Sequence, residues 1–199
     1  MIEQLQTTIR FIALKAISIL LVLVICATAS HADSGWIMGK NWKYIYQYGE
    51  INEDTVDNME RGLYLAERAG TKVDTIYLKS PGGSVRAAYQ IIEMINKNNI
   101  RVVVRSMNEC HSACFLIFAG SKRRFAEPSA KLGVHWASVN GDWKPGVSAT
   151  GKMIEEFMRW GVPESVVDKL IFTGEEIKLL NRFEIRLMSN DASRHHFDN

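Results

Sequence analysis

The sequence predicts an α/β fold: a series of βαβ units on a largely parallel sheet, followed by a helical C-terminal part. Three observations carry that reading. Between residues 42 and 106, short apolar runs of strand length alternate with amphipathic segments of helix length, as expected where parallel strands are joined by crossover helices. Val85, Ala88, Tyr89, Ile92 and Ile95 recur at helical spacing, which gives one connecting segment a single core-facing stripe. Between one strand and the helix after it stands Ser80-Pro81-Gly82-Gly83, a turn rich in residues that break regular structure.

Taken in order, residues 42–48 read as strand, 53–69 as helix, 73–79 as strand, 85–97 as helix and 100–106 as strand. The run 113–119, Ala-Cys-Phe-Leu-Ile-Phe-Ala, is too apolar for a surface helix and is expected in the core. Leu132-Gly133-Val134 reads as a strand ending at His135, and residues 140–146 as a flexible loop of glycine, proline and polar residues. Helices are expected over 147–160 and 163–172, the second with Pro163 in its first turn. A third short helix is expected from Thr173, because Thr173-Gly174-Glu175-Glu176 offers a cap and acidic first-turn residues.

The N-terminus is of another kind. Residues 11–29 are almost unbrokenly apolar, preceded by Arg10 and followed by the small residues of Ala27-Thr28-Ala29 and Ser30-His31-Ala32. A basic flank, an apolar core and small residues at alternate positions make a secretory signal, expected over 1–32. An uncleaved N-terminal membrane anchor is the alternative, since nineteen apolar residues nearly span a bilayer. The bulky Ile25 argues against lipid attachment at Cys26. The chain then divides into this segment, one domain over 33–188, and a polar tail over 189–199. With 24 basic against 22 acidic residues, the chain is close to neutral, which argues against a nucleic-acid partner.

Three segments carry chemistry. The two glycines of Ser80-Pro81-Gly82-Gly83 let a backbone turn tightly and let a ligand approach closely. Ser112 opens the apolar helix, where the local positive potential favours a nucleophilic oxygen or, alternatively, where its hydroxyl simply caps the helix. His135 ends an apolar strand, and strand ends are where open α/β sheets place their sites. Together they supply a nucleophile, a base and backbone N–H donors for an oxyanion. Cys110 and Cys114 flank Ser112. An even pair in an exported domain permits a disulfide, and two reduced, buried cysteines are the alternative. With only His111 and His135 beside them, no metal site is expected, and no cofactor.

From about Trp42 to Trp136 the sequence resembles the proteolytic subunit of the Clp peptidases and their crotonase-fold relatives, most closely a group of exported Clp-like proteins. The likeness rests on Gly49-Glu50-Ile51, on Tyr77-Leu78-Lys79-Ser80-Pro81-Gly82-Gly83, on Ser112 before an apolar helix and on His135 after a strand. It implies a ClpP/crotonase-like spiral of βαβ units. By position it implies Ser112 as nucleophile, His135 as general base, and the N–H groups of Gly83 and Ala113 as oxyanion hole. A peptide or unfolded-protein substrate and assembly into a homo-oligomer are implied as well. Where the family has its aspartate this chain has Lys169, so Asp168, one residue away, is the candidate acid, with Glu164 and Glu175 behind it. A Ser/Lys dyad using Lys131 or Lys169 leaves His135 unexplained. The absence of a Walker motif points to a peptidase or acyl hydrolase working without ATP. The alternatives are a catalytically inactive peptide-binding protein and an acyl-coenzyme A enzyme, whose ligand an exported protein would rarely meet.

Overall fold

Helix capping and strand register account for most of the chain path in the computed structural model, which describes residues 35–138 and 146–191. The expected signal over 1–32, nearly all of the loop over 140–146 and the tail beyond 191 lie outside the described residues. Five strands form the main sheet: β1 (Gly35–Met38), β2 (Tyr44–Tyr48), β3 (Thr75–Lys79), β4 (Arg101–Val104) and β6 (Arg123–Ala126), in that spatial order. All neighbours pair in parallel except β1, which runs antiparallel to β2. Three more strands, β5 (Glu109–His111), β7 (Lys131–Val134) and β8 (Lys178–Leu179), form a second sheet in the order β5-β7-β8. A single bridge between Ser80 and Cys110 joins the two sheets.

Helix α1 (Glu53–Arg68) crosses from β2 to β3, and its start is fixed by a capping box in which Asn52 and Thr55 satisfy each other's backbone N–H. Helix α2 (Val85–Lys97) crosses from β3 to β4. The Ser84 hydroxyl accepts from the Ala87 N–H at 3.1 Å, and the stripe of Ala88, Ile92 and Ile95 is buried.

Helix α3 (Ala113–Gly120) follows β5, and all eight of its residues are buried. Phe115 meets Phe157 of α4 (Gly146–Arg159) edge-on, with ring centroids 5.6 Å apart. Its C-terminal carbonyls end beside the buried Arg124, which donates to Ala119 and Ser121 at 2.8 and 3.0 Å. A cation among orphan helix carbonyls is favourable, so the apolar helix can end inside the fold with its last carbonyls paired.

Helix α5 (Glu164–Thr173) begins just after Pro163, and Gly174, with φ of 65°, ends it. The helix expected from Thr173 is not there. The chain instead makes β8 against β7, and α6 (Arg182–Met188) starts at a capping box of Asn181 and Glu184. The acidic pair Glu175-Glu176 mimicked a first turn, but Gly174 is the C-terminal stop of the preceding helix. Strand β1 also goes beyond the sequence reading. The tetrapeptide Gly-Trp-Ile-Met is too short to announce itself, and its place in the sheet comes from pairing with β2.

Candidate active site

The βαβ topology brings three chain segments to one place, because the ends of β3, β5 and β7 are hydrogen-bonded in series. Ser80 N–H donates to Glu109 and His111 N–H to Ser80, while Ser112 N–H donates to the Gly133 carbonyl at 3.1 Å.

Ser112 lies at the junction of β5 and α3 with φ of 55° and ψ of −125°. For a residue with a Cβ this conformation costs about 1–3 kcal/mol and persists only where surroundings enforce it. The bond to Gly133 is one restraint. Gly82 is a second: a Cβ added there would lie 2.5 Å from the Ser112 Cβ and 3.1 Å from its Oγ. The third is a disulfide between Cys110 and Cys114, whose Cα atoms are 5.0 Å apart. Closing so short a ring is worth about 2 kcal/mol in the chain-entropy account, the same size as the local strain. The Ser112 hydroxyl makes no capping bond to α3, which leaves it available for chemistry.

The glycine turn is built by a one-residue parallel bridge. Ile51 N–H donates to the Gly82 carbonyl at 2.8 Å and Ser84 N–H donates to the Ile51 carbonyl at 2.7 Å, so the N–H of Gly83 between them faces away from Ile51. Gly82 and Gly83 have φ of 117° and 138°, values a side chain rarely tolerates. Ala113 opens α3, and first-turn N–H groups have no intrahelical acceptor. Among the described residues, neither Gly83 nor Ala113 donates its N–H to another group. Ala113 follows Ser112 in the chain, and Gly83 follows the Gly82 that packs against Ser112, so two such donors belong to the segments that meet at the elbow.

His135 follows β7, half-buried, with Nδ1 2.6 Å from the Trp136 carbonyl oxygen. A carbonyl can only accept, so Nδ1 carries the proton and Nε2 keeps its lone pair. Burial pushes the His135 pKa below its ordinary 6.5, opposed by the bond to Trp136. Trp136 is itself fixed, its indole N–H donating to Leu170 at 2.7 Å and its backbone N–H to Gly174 at 2.9 Å. The sequence reading did not single out this orienting role, although an indole N–H beside a candidate base needs a partner. His111 also has its pKa lowered, chiefly by burial, with Glu109 raising it.

The remaining candidates are placed differently. Asp168 is exposed on α5, and its carboxylate makes no hydrogen bond or ion pair with a described residue. Glu164 and Glu175 are exposed as well. Lys131 lies 3.7 Å from the Glu109 carboxylate and Lys169 3.5 Å from that of Glu184, so both candidate dyad lysines have acidic neighbours. The Ser112 hydroxyl makes no hydrogen bond with a described residue. Among the described residues there is no group of three His, Cys, Asp or Glu placed to hold a metal ion, and no helix is long and apolar enough to cross a membrane.

The family model for Clp protease matches residues 34–152, more than half of the chain. This chain belongs to the Clp protease family. The matched span of the Clp protease model contains Gly83, Ser112, Ala113 and His135 and stops before Asp168. The ATP-dependent Clp protease proteolytic subunit 2 of Treponema denticola is 34% identical over 98 residues, covering 48% of this chain and 49% of the relative. The ATP-dependent Clp protease proteolytic subunit of Pleurastrum terricola is 31% identical over 90 residues, covering 44% and 46%. The chain thus spans about half the length of the curated relatives it matches. In structure it is similar to a ClpP1 mutant from Listeria monocytogenes, with a TM-score of 0.57 at 21% identity, covering 75% of this chain and 88% of the other. The fold is therefore ClpP-like.

Gly83→Ala tests the turn. An added Cβ would run into the Ile51 carbonyl and come within 2.9 Å of the Ile51 nitrogen, so the turn must shift and carry the Gly83 N–H with it. Loss of one oxyanion donor lowers kcat by about 10²–10³-fold. For an acyl-transfer site that uses this N–H, the expected result is a fall of that size in kcat with a small change in KM, read by steady-state kinetics on a fluorogenic peptide.

Proposed function

We propose that this chain is an exported ClpP-like serine peptidase or related acyl hydrolase that works without a nucleotide. One observation carries the reading: Ser112 is held in a strained elbow against the Gly82-Gly83 turn, its hydroxyl not engaged in capping, beside two backbone N–H groups that meet no other described acceptor. Membership of the Clp protease family supports the same reaction class. The basic flank, apolar run and small residues of 1–32 support export, which the intact mass of the secreted chain tests by the loss of that segment. Export would place the chain where an ATP-driven partner is hard to supply, which supports action on peptides or locally unfolded segments that enter unaided. The family supports a homo-oligomer.

In the proposed mechanism His135 Nε2 takes the proton from Ser112 Oγ as the oxygen attacks the substrate carbonyl. The N–H groups of Gly83 and Ala113 receive the oxyanion, and His135 returns the proton to the leaving amine. Water, deprotonated by His135, then releases the acyl group. The Trp136 carbonyl holds the imidazole in the tautomer this cycle needs, and Asp168 takes no part. The Ser112–His135 bond closes on substrate binding, since catalytic hydrogen bonds in unliganded sites are often long and tighten in the complex.

A second reading, a peptide-binding protein without turnover, is favoured by the exposed Asp168 and by a Ser112 hydroxyl that bonds no described residue. A fluorophosphonate probe separates the two. Labelling of the folded chain that disappears in Ser112→Ala and in His135→Ala supports the hydrolase; absence of labelling from the folded, oxidised chain makes the binding protein the better reading.

A further inference from the structure

We propose that the Cys110–Cys114 disulfide is a positioning element of the active site, holding Ser112 and the Ala113 N–H in reacting geometry so that full nucleophilic reactivity belongs to the oxidised protein. The inference rests on the reading of Ser112 as nucleophile.

The placement of the bond is the argument. Cys110 belongs to β5 and Cys114 to the first turn of α3, with Ser112 midway between them. The bridge therefore spans the strand-to-helix corner on which the serine sits. On the strand side the corner is tied to neighbouring backbone by Ser80 and Gly133. On the helix side Ala113 and Cys114 are first-turn residues, whose N–H groups have no intrahelical acceptor. The disulfide supplies the covalent tie that the first turn otherwise lacks. Cys114 follows Ala113 directly, so its tether also fixes the peptide group that presents the second oxyanion donor.

A non-glycine residue at φ of 55° and ψ of −125° relaxes toward ordinary backbone conformations once a restraint is removed. A shift of about 1 Å in a reacting group can lower a rate by about 10²-fold. Both cysteines are fully buried, so a small reductant meets the bond only when the corner opens. Reduction needs two electrons and two protons. A dithiol supplies both and leaves as its cyclic disulfide, while Cys110 and Cys114 become thiols and Ser112 is covalently unchanged. In an oxidising compartment the bond persists.

The test uses the purified full chain and a fluorophosphonate probe, with the maximal labelling rate and the half-saturating probe concentration measured separately. Oxidised wild type, wild type treated with dithiothreitol and Cys110→Ala/Cys114→Ala are compared. Free thiols are counted by alkylation and mass, and the fold is followed by circular dichroism. The expected result is a fall of about 10- to 100-fold in the maximal rate in step with the thiols released, with half-saturation and circular dichroism unchanged. If the double variant does not fold, the reduced wild type supplies the comparison.

A folded, reduced chain that labels at the oxidised rate, with Ser112→Ala silent, would overturn the proposal and leave Ser112 as nucleophile. Loss of circular dichroism together with labelling on reduction would also overturn it, because the bridge would then hold the domain rather than the corner. Oxidised wild type that never labels would mean that the nucleophile reading has failed, and the proposal with it.

Discussion

Ser112→Ala is expected to abolish peptide turnover, by on the order of 10⁴- to 10⁶-fold, while leaving the fold and peptide binding in place. The nucleophile is the one group in the site with no substitute, because His135 and the two N–H donors can only assist an attack that some oxygen must make. The residual rate measures what the oxyanion donors achieve alone. Ser112→Gly sharpens the test. Glycine adopts φ of 55° and ψ of −125° without the strain that a Cβ brings, so this variant is expected to melt higher than Ser112→Ala, by a difference of about 1 kcal/mol. Both variants should be inactive. A position where a Cβ costs stability and whose hydroxyl the activity needs is kept for chemistry rather than for packing.

His135→Ala is expected to lower kcat/KM by on the order of 10⁴- to 10⁶-fold, as Ser112→Ala does, with little change in peptide affinity. A base must be neutral to act, and burial holds the His135 pKa below its ordinary 6.5. The acid limb of the kcat/KM profile should accordingly lie below pH 6.5, with activity falling tenfold per unit beneath it as the imidazole protonates. The same shift fixes the sign for stability. A histidine whose folded pKa is depressed favours the fold above its unfolded pKa, and that contribution is lost as pH falls from 6.5 through the folded value. His111, also depressed by burial, adds in the same direction. The melting temperature of wild type should fall from pH 7 to pH 5, and less so in His135→Ala.

Much of the fold was legible because local signals agreed with the global arrangement. The stripe from Val85 to Ile95 predicted α2, and the structure places that helix over Val85–Lys97 with Ser84 as its cap. The apolar run after Ser112 announced a buried helix for the same reason. Local signals failed where two of them shared residues. Thr173-Gly174-Glu175-Glu176 holds both a helix stop and the look of a helix start, and only the pairing of β8 with β7 decides between them. Strand β1 was silent, since four residues gain their meaning from the neighbour they pair with.

In the site, the serine, the histidine and the glycine turn were visible as residue types in order. The Trp136 carbonyl was not, because main-chain atoms leave no mark in a sequence. The acid was sought among Asp168, Glu164 and Glu175 by their position along the chain. All three are exposed in the structure, and Nδ1 of His135 lies 2.6 Å from a main-chain carbonyl one residue away.

The most direct test of the central claim is capture of an acyl-enzyme. The oxidised chain would be mixed with an activated ester of a short peptide, quenched in acid within the first turnover, and its intact mass and Ser112-containing fragment read by mass spectrometry. The account predicts a burst approaching one product per chain and an acyl group on Ser112, absent from Ser112→Ala. A folded, oxidised chain that shows no burst and no adduct on Ser112, or that carries the acyl group on another residue, would contradict it.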